Sequence, residues 1–110
     1  MMATYVQKGE NINYKNGGSE KIAYGDVVVI SDRIGVASVD ISAGETGVIS
    51  LEGVYEMPAE ATAAFEVGQT VYWDTTNKRL TATKPASGAI VAGVAIEPKA
   101  TAAALALVKL

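Results

Sequence analysis

Short apolar runs recur along the chain, and clusters of turn-forming residues separate them: Gly9-Glu10, Asn16-Gly17-Gly18, Gly25-Asp26, Ala43-Gly44-Glu45, Thr76-Asn77-Lys78 and Ser87-Gly88. Runs rich in Val, Ile, Thr and Tyr between such signals predict strands. Val27-Val28-Val29-Ile30 is apolar without interruption, as expected of a strand covered on both faces, and residues 34–41 continue the pattern with Val36, Val39 and Ile41. From 47 to 57 the pattern changes to alternation. Ile49, Leu51, Tyr55 and Met57 interleave with Val48, Ser50, Glu52, Val54 and Glu56, so one face meets the core and the other meets solvent or a partner.

Residues 70–73 and 79–83 flank Asp74-Thr75-Thr76-Asn77-Lys78 and predict a hairpin with a five-residue connection. Residues 89–96 predict a further buried strand, in which Gly93 marks a bulge or a close backbone approach. Pro58 followed by Ala59, Glu60 and Ala61 suits one helical turn or a loop. The last segment is ambiguous: its alanines suit a helix, whereas Leu105, Leu107 and Lys109 alternate with Ala106 and Val108 as a strand would, and the strand is favoured. The pattern as a whole predicts an all-β fold, a small β-sandwich or partly closed β-barrel with at most one short helix near 59–64. No linker or fixed repeat divides the chain, which gives a single β domain over 21–110. Residues 1–20 are poor in large apolar groups and form either an N-terminal arm or, through residues 4–8, an edge strand.

Composition narrows what such a domain could do. With 110 residues, 49% of them apolar, one compact domain is expected. One Trp, one Phe and five Tyr leave the core to Val, Ile, Leu and Ala, and a core this thin gains from association with other copies or a larger partner. The net charge is −3, and Lys78-Arg79 is the one adjacent basic pair, so no phosphate-tracking surface and no nucleic-acid partner are expected. The chain has no His and no Cys, which excludes Ser-His-Asp and Cys-His nucleophiles and the usual zinc sites. No Gly-Lys pair exists from which to build a phosphate-binding loop. Glu52 and Glu56 resemble a catalytic carboxylate pair only in spacing and read better as solvating groups. Asp74 and Asn77 read as turn caps rather than calcium ligands, and Trp73 as a core or interface anchor. No cofactor is expected. The start of the chain lacks a basic segment followed by an apolar stretch, and the apolar runs fall short of a membrane span, so neither secretion nor membrane insertion is expected.

The stretch GVYEMPAEATAAFEVGQTVYWDTTNKRLTAT, followed by GVAIEPKATAAALALVKL, resembles the capsid cement (decoration) proteins of tailed bacteriophages. The likeness rests on order and spacing: a Gly-Val-hydrophobic-acid-hydrophobic-Pro segment at 53–58, Val-Gly-x-x-Val-Tyr-Trp-Asp at 67–74, Gly-x-Ala at 93–95 and an alternating apolar end. The opening ATYVQKGENINY and the segment GDVVVISDRIGVA fit as well, so the resemblance spans essentially the whole chain. It implies a non-enzymatic structural protein, made in the bacterial host cytoplasm and carried on the exterior of the virion capsid. There it would bind the major capsid protein and stabilise contacts between its subunits. A homo-oligomer is expected, with a trimer preferred. Candidate contact residues toward the capsid or a neighbouring subunit are Tyr5, Val6, Tyr14, Tyr72 and Trp73. The competing reading is a small-molecule or glycan-binding β-module on a virion or cell surface. Exposed Tyr72 and Trp73 in one concave site would favour it, and their burial would oppose it.

Overall fold

The computed structural model describes residues 2–5 and 9–110, and nine strands form among them. These are β1 (Asn11–Lys15), β2 (Val27–Ile30), β3 (Arg33–Ala37), β4 (Thr46–Ser50), β5 (Val54–Pro58), β6 (Thr70–Asp74), β7 (Arg79–Thr81), β8 (Val91–Ala95) and β9 (Leu105–Lys109). No helix occurs among the described residues, and the chain is all-β. Antiparallel pairing links β5 to β9, β9 to β8, β8 to β6 and β6 to β7. A bridge between Ala59 and Leu80 then brings the end of β5 against β7, and these strands curl into a partly closed barrel. The remaining strands form an outer layer in which β1 pairs with β4, β4 with β3 and β3 with β2. That layer is stitched to the barrel through one parallel pair, Arg33 with Val91.

The unbroken apolar run of β2 follows from this arrangement, because the β2–β3 hairpin lies between two cores. Val27, Val29, Ile34 and Val36 pack toward the barrel interior with Phe65, Val71, Trp73, Leu80 and Val108. Val28, Ile30 and Ala37 pack the other way, onto Ile41 and Ile49. Alternate residues serve alternate cores, so every position is apolar.

Gly93 is both a bulge and a close approach. Its neighbours pair Val71 with Gly93 and Tyr72 with Val91, which leaves Ala92 as the extra residue. A Cβ on Gly93 would overlap the carbonyl of Lys109, so only glycine lets β9 lie this close. The final segment is β9, because Ala106 and Val108 fill the barrel interior.

Three local expectations need correction. The alternating run at 47–57 is two strands, since Gly53 adopts a φ of 125° and the chain changes partners from β1 to β9 there. The strand after β2 ends at Ala37, which leaves Val39 exposed. The hairpin connection is one residue shorter than expected, because Asp74 pairs with Arg79. Of the two alternatives for residues 59–64 the chain takes the loop: so short an alanine segment cannot offset the cost of helix nucleation, and sheet-like contacts to Leu80 and Ala104 hold its backbone. In the N-terminal segment, Asn11–Lys15 is a strand of the outer layer, Thr4 and Tyr5 lie in no strand, and Val6, Gln7 and Lys8 fall outside the described residues.

Candidate interaction surface

Two buried polar residues fix loops, one in the outer layer and one beside the barrel core. Asn16 donates from Nδ2 to the carbonyls of Glu20 (2.7 Å) and Ile41 (3.0 Å) and accepts at Oδ1 from the Gly18 N–H (3.1 Å). It thus closes the turn after β1 onto the outer layer. Lys99 donates from Nζ to the carbonyls of Ala63 (2.6 Å), Ala100 (2.9 Å) and Thr101 (3.4 Å), with its ammonium 5.1 Å from the centre of the Phe65 ring. Oriented carbonyl dipoles and the ring face replace the water this cation loses on burial. Sequence reasoning missed both. Asn16 looked like an ordinary turn residue, and nothing local distinguishes Lys99 from a surface lysine.

The candidate contact residues are not brought together. Tyr5 is 79% exposed and lies ahead of β1, while Val6 is outside the described residues. Tyr14 sits half-buried against the outer-layer core. Tyr72 and Trp73 are successive residues of β6 and so face opposite sides of the sheet: Tyr72 is half-buried, and Trp73 is a barrel core residue at 7% exposure. Trp73 edges a hollow of about 380 Å³ together with Thr75, Thr81 and Pro85, but Tyr72 does not reach it. The two rings therefore form no common stacking platform. An aliphatic groove of about 370 Å³ separates the two cores, with Ile12, Ile30 and Leu51 on one wall and Ile34, Ala92 and Leu110 on the other.

The charged groups act locally. Asp74 caps its hairpin by accepting from the Thr76 and Asn77 backbone N–H groups and from Asn77 Nδ2, and the Asn77 bonds hold its carboxyl below the usual carboxylate value. Asp40 is lowered first by the Tyr24 N–H (2.8 Å) and then by Lys21, whose Nζ is 3.1 Å away. Among the described residues no group of three or more Asp or Glu side chains is placed to hold a metal ion.

A family model described as phage cement protein matches residues 6–110. The chain belongs to the phage cement proteins. The match takes in both cores and all nine strands, so the barrel and its outer layer together are the cement module. Comparison with curated proteins and with solved structures returns no match.

Proposed function

We propose that the chain is a non-enzymatic decoration protein that binds the exterior of an assembled phage or prophage capsid and stabilises contacts between major capsid subunits. The observation that carries this reading is the family match over residues 6–110. A clamp of this kind acts through interface area that must be lost before capsid subunits separate, and many copies make the effect cumulative. The thin core supports a homo-oligomer, with a trimer preferred at the three-fold positions of an icosahedral shell. The surface offered to shell or neighbour includes Tyr5 and Val6 ahead of β1, Tyr14 and Tyr72, with Trp73 supporting β6 from inside the barrel. Residues 1–8 act as an attachment arm toward the shell. Burial of Trp73 counts against the glycan-binding module.

The test is decoration of undecorated capsids from the phage or prophage that encodes the chain. Purified protein should co-sediment with the capsids to a saturating ratio and raise their thermal disassembly temperature. A chain that neither co-sediments nor stabilises them sinks the reading. Deleting residues 1–8 should leave the fold intact and abolish attachment; a deletion variant that binds as well as the full chain would show that the arm has no part in it.

A further inference from the structure

Asn16-Gly17 is the one place in the chain where an Asn or Asp precedes glycine. That dipeptide carries its own chemistry. Glycine has no side chain to shield its amide nitrogen, so in an unfolded chain the Gly17 nitrogen reaches the Asn16 side-chain carbonyl readily. The nitrogen gives its proton to hydroxide and attacks Asn16 Cγ, forming a Gly17 N–Cγ bond. The Cγ–Nδ2 bond breaks, and Nδ2 takes a proton from water and leaves as ammonia, which restores the hydroxide. Water then opens the succinimide ring at either carbonyl and leaves aspartate or isoaspartate at position 16.

The fold holds every polar atom of Asn16 against this reaction. Its backbone N–H donates to the Glu45 carbonyl (2.8 Å), and its carbonyl accepts from the Gly44 N–H (2.8 Å). Nδ2, the leaving group, is tied to the carbonyls of Glu20 and Ile41, and Oδ1 accepts from the Gly18 N–H. The residue is 4% exposed. Ring closure turns the Asn16 carbonyl away from Gly44 and swings the side chain out of its site, so both sets of bonds must break first. The product cannot rebuild them. Aspartate at this position has lost the donor and sets a carboxylate against two carbonyl oxygens in a buried site. Isoaspartate adds a methylene to the main chain between the bonds to Glu45 and Gly44. We propose that Asn16 is a deamidation site gated by opening of the outer layer, and that the modification keeps the layer open afterwards. It is a one-way covalent ratchet on the smaller of the two cores.

The experiment follows Asn16 by peptide mass spectrometry while the full chain stands in warm, mildly alkaline buffer, either folded or unfolded in urea. The folded chain should deamidate at least about tenfold more slowly than the unfolded one, because only its open fraction reacts. Ile49→Ala, which loosens the outer layer, should speed the folded chain at least about tenfold. Urea below the unfolding transition should speed wild type in the same way, which keeps the test open if that variant fails to fold. Gly17→Ala has room for its Cβ and should slow the reaction severalfold while melting like wild type. Isoaspartate should exceed aspartate among the products, the signature of the ring intermediate. The deamidated chain, separated by its added negative charge, should lose hydrogen-exchange protection in β1 and β4 while β8 and β9 keep theirs, and Asn16→Asp should do the same. Four results would each overturn the proposal: deamidation as fast folded as unfolded, a rate unmoved by urea and by Ile49→Ala, a Gly17→Ala chain as fast as wild type, or a deamidated chain as protected as wild type in β1 and β4.

Discussion

The barrel and the outer layer are built to different standards. The barrel core contains the chain's one Phe and one Trp, Phe65 and Trp73, surrounded by Val71, Leu80 and Val108. The outer layer's own core consists of Val28, Ala37, Ile41 and Ile49, with half-buried Ile12 and Tyr14 around them. The barrel nearly closes its own sheet, while the outer layer leans on the barrel through β2 and β3 and a single parallel pair. Opening the outer layer should therefore cost less than opening the barrel, because less apolar surface returns to water. A strong module thus carries a compliant one.

The largest effect should come from the tightest point of the barrel. Gly93→Ala forces a Cβ into the Lys109 carbonyl, and either β8 or β9 must move. A loss of about 4 kcal/mol is expected in urea denaturation, at the severe end for single substitutions; near wild-type stability would show that the strands have room to part.

Next comes a direct pairing of the two cores. Leu80→Ala and Ile49→Ala each empty a fully buried site, one in the barrel and one in the outer layer, and each should cost about 2–5 kcal/mol with the barrel variant at the upper end. Native-state hydrogen exchange sharpens the contrast. Ile49→Ala should speed exchange in β1 and β4 while β8 and β9 stay protected, whereas uniform loss of protection in both variants would mean that the molecule opens as one unit.

Smaller effects are expected at the two buried polar residues. Lys99→Ala leaves three carbonyls without their donor at the barrel end, and Asn16→Ala strips the turn that closes the outer layer. Each should cost about 1–3 kcal/mol. Thermal melting of both variants checks this, and no change in either would show that water replaces the lost group.

The smallest effect is on pH dependence. Asp40 in the outer layer and Asp74 in the barrel hairpin both have folded values below the ordinary carboxylate value. A group lowered on folding contributes stability that is complete above its unfolded value, about 4, and lost as pH falls through the folded one. Stability should accordingly decline on acidification below about pH 4, and Asp40→Asn or Asp74→Asn should flatten part of that decline. A decline as steep in both variants as in wild type would assign it to other carboxylates.

Much of the fold was legible because its signals are local. The continuous run at 27–30 reported a strand with cores on both sides, Gly93 reported a close approach, and the alternation at 105–109 outweighed the helix propensity of the alanines. The break at Gly53 was hidden because the inward–outward parity of 49, 51, 55 and 57 runs straight through it. The β5–β9 register joins residues about fifty positions apart and the Ala59–Leu80 bridge closes the barrel across about twenty, and no local pattern encodes such pairing. The same limit applies to the outward face of the barrel. Alternation marked one face at 54 and 56 as outward, but that Val54, Val94 and Leu105 share a patch appears only once the strands are paired.

The carbonyl cage around Lys99 also makes that side chain a built-in reporter. Lys15, Lys21, Lys78, Lys84 and Lys109 are all exposed and should react quickly with an amine-acylating reagent, whereas the Lys99 amine sits under Phe65 with its donors engaged. Acylation at Lys99 therefore requires the loops at 63 and 99–101 to separate. Followed by peptide mass spectrometry, its slow labelling would clock the opening of the barrel end in the free chain.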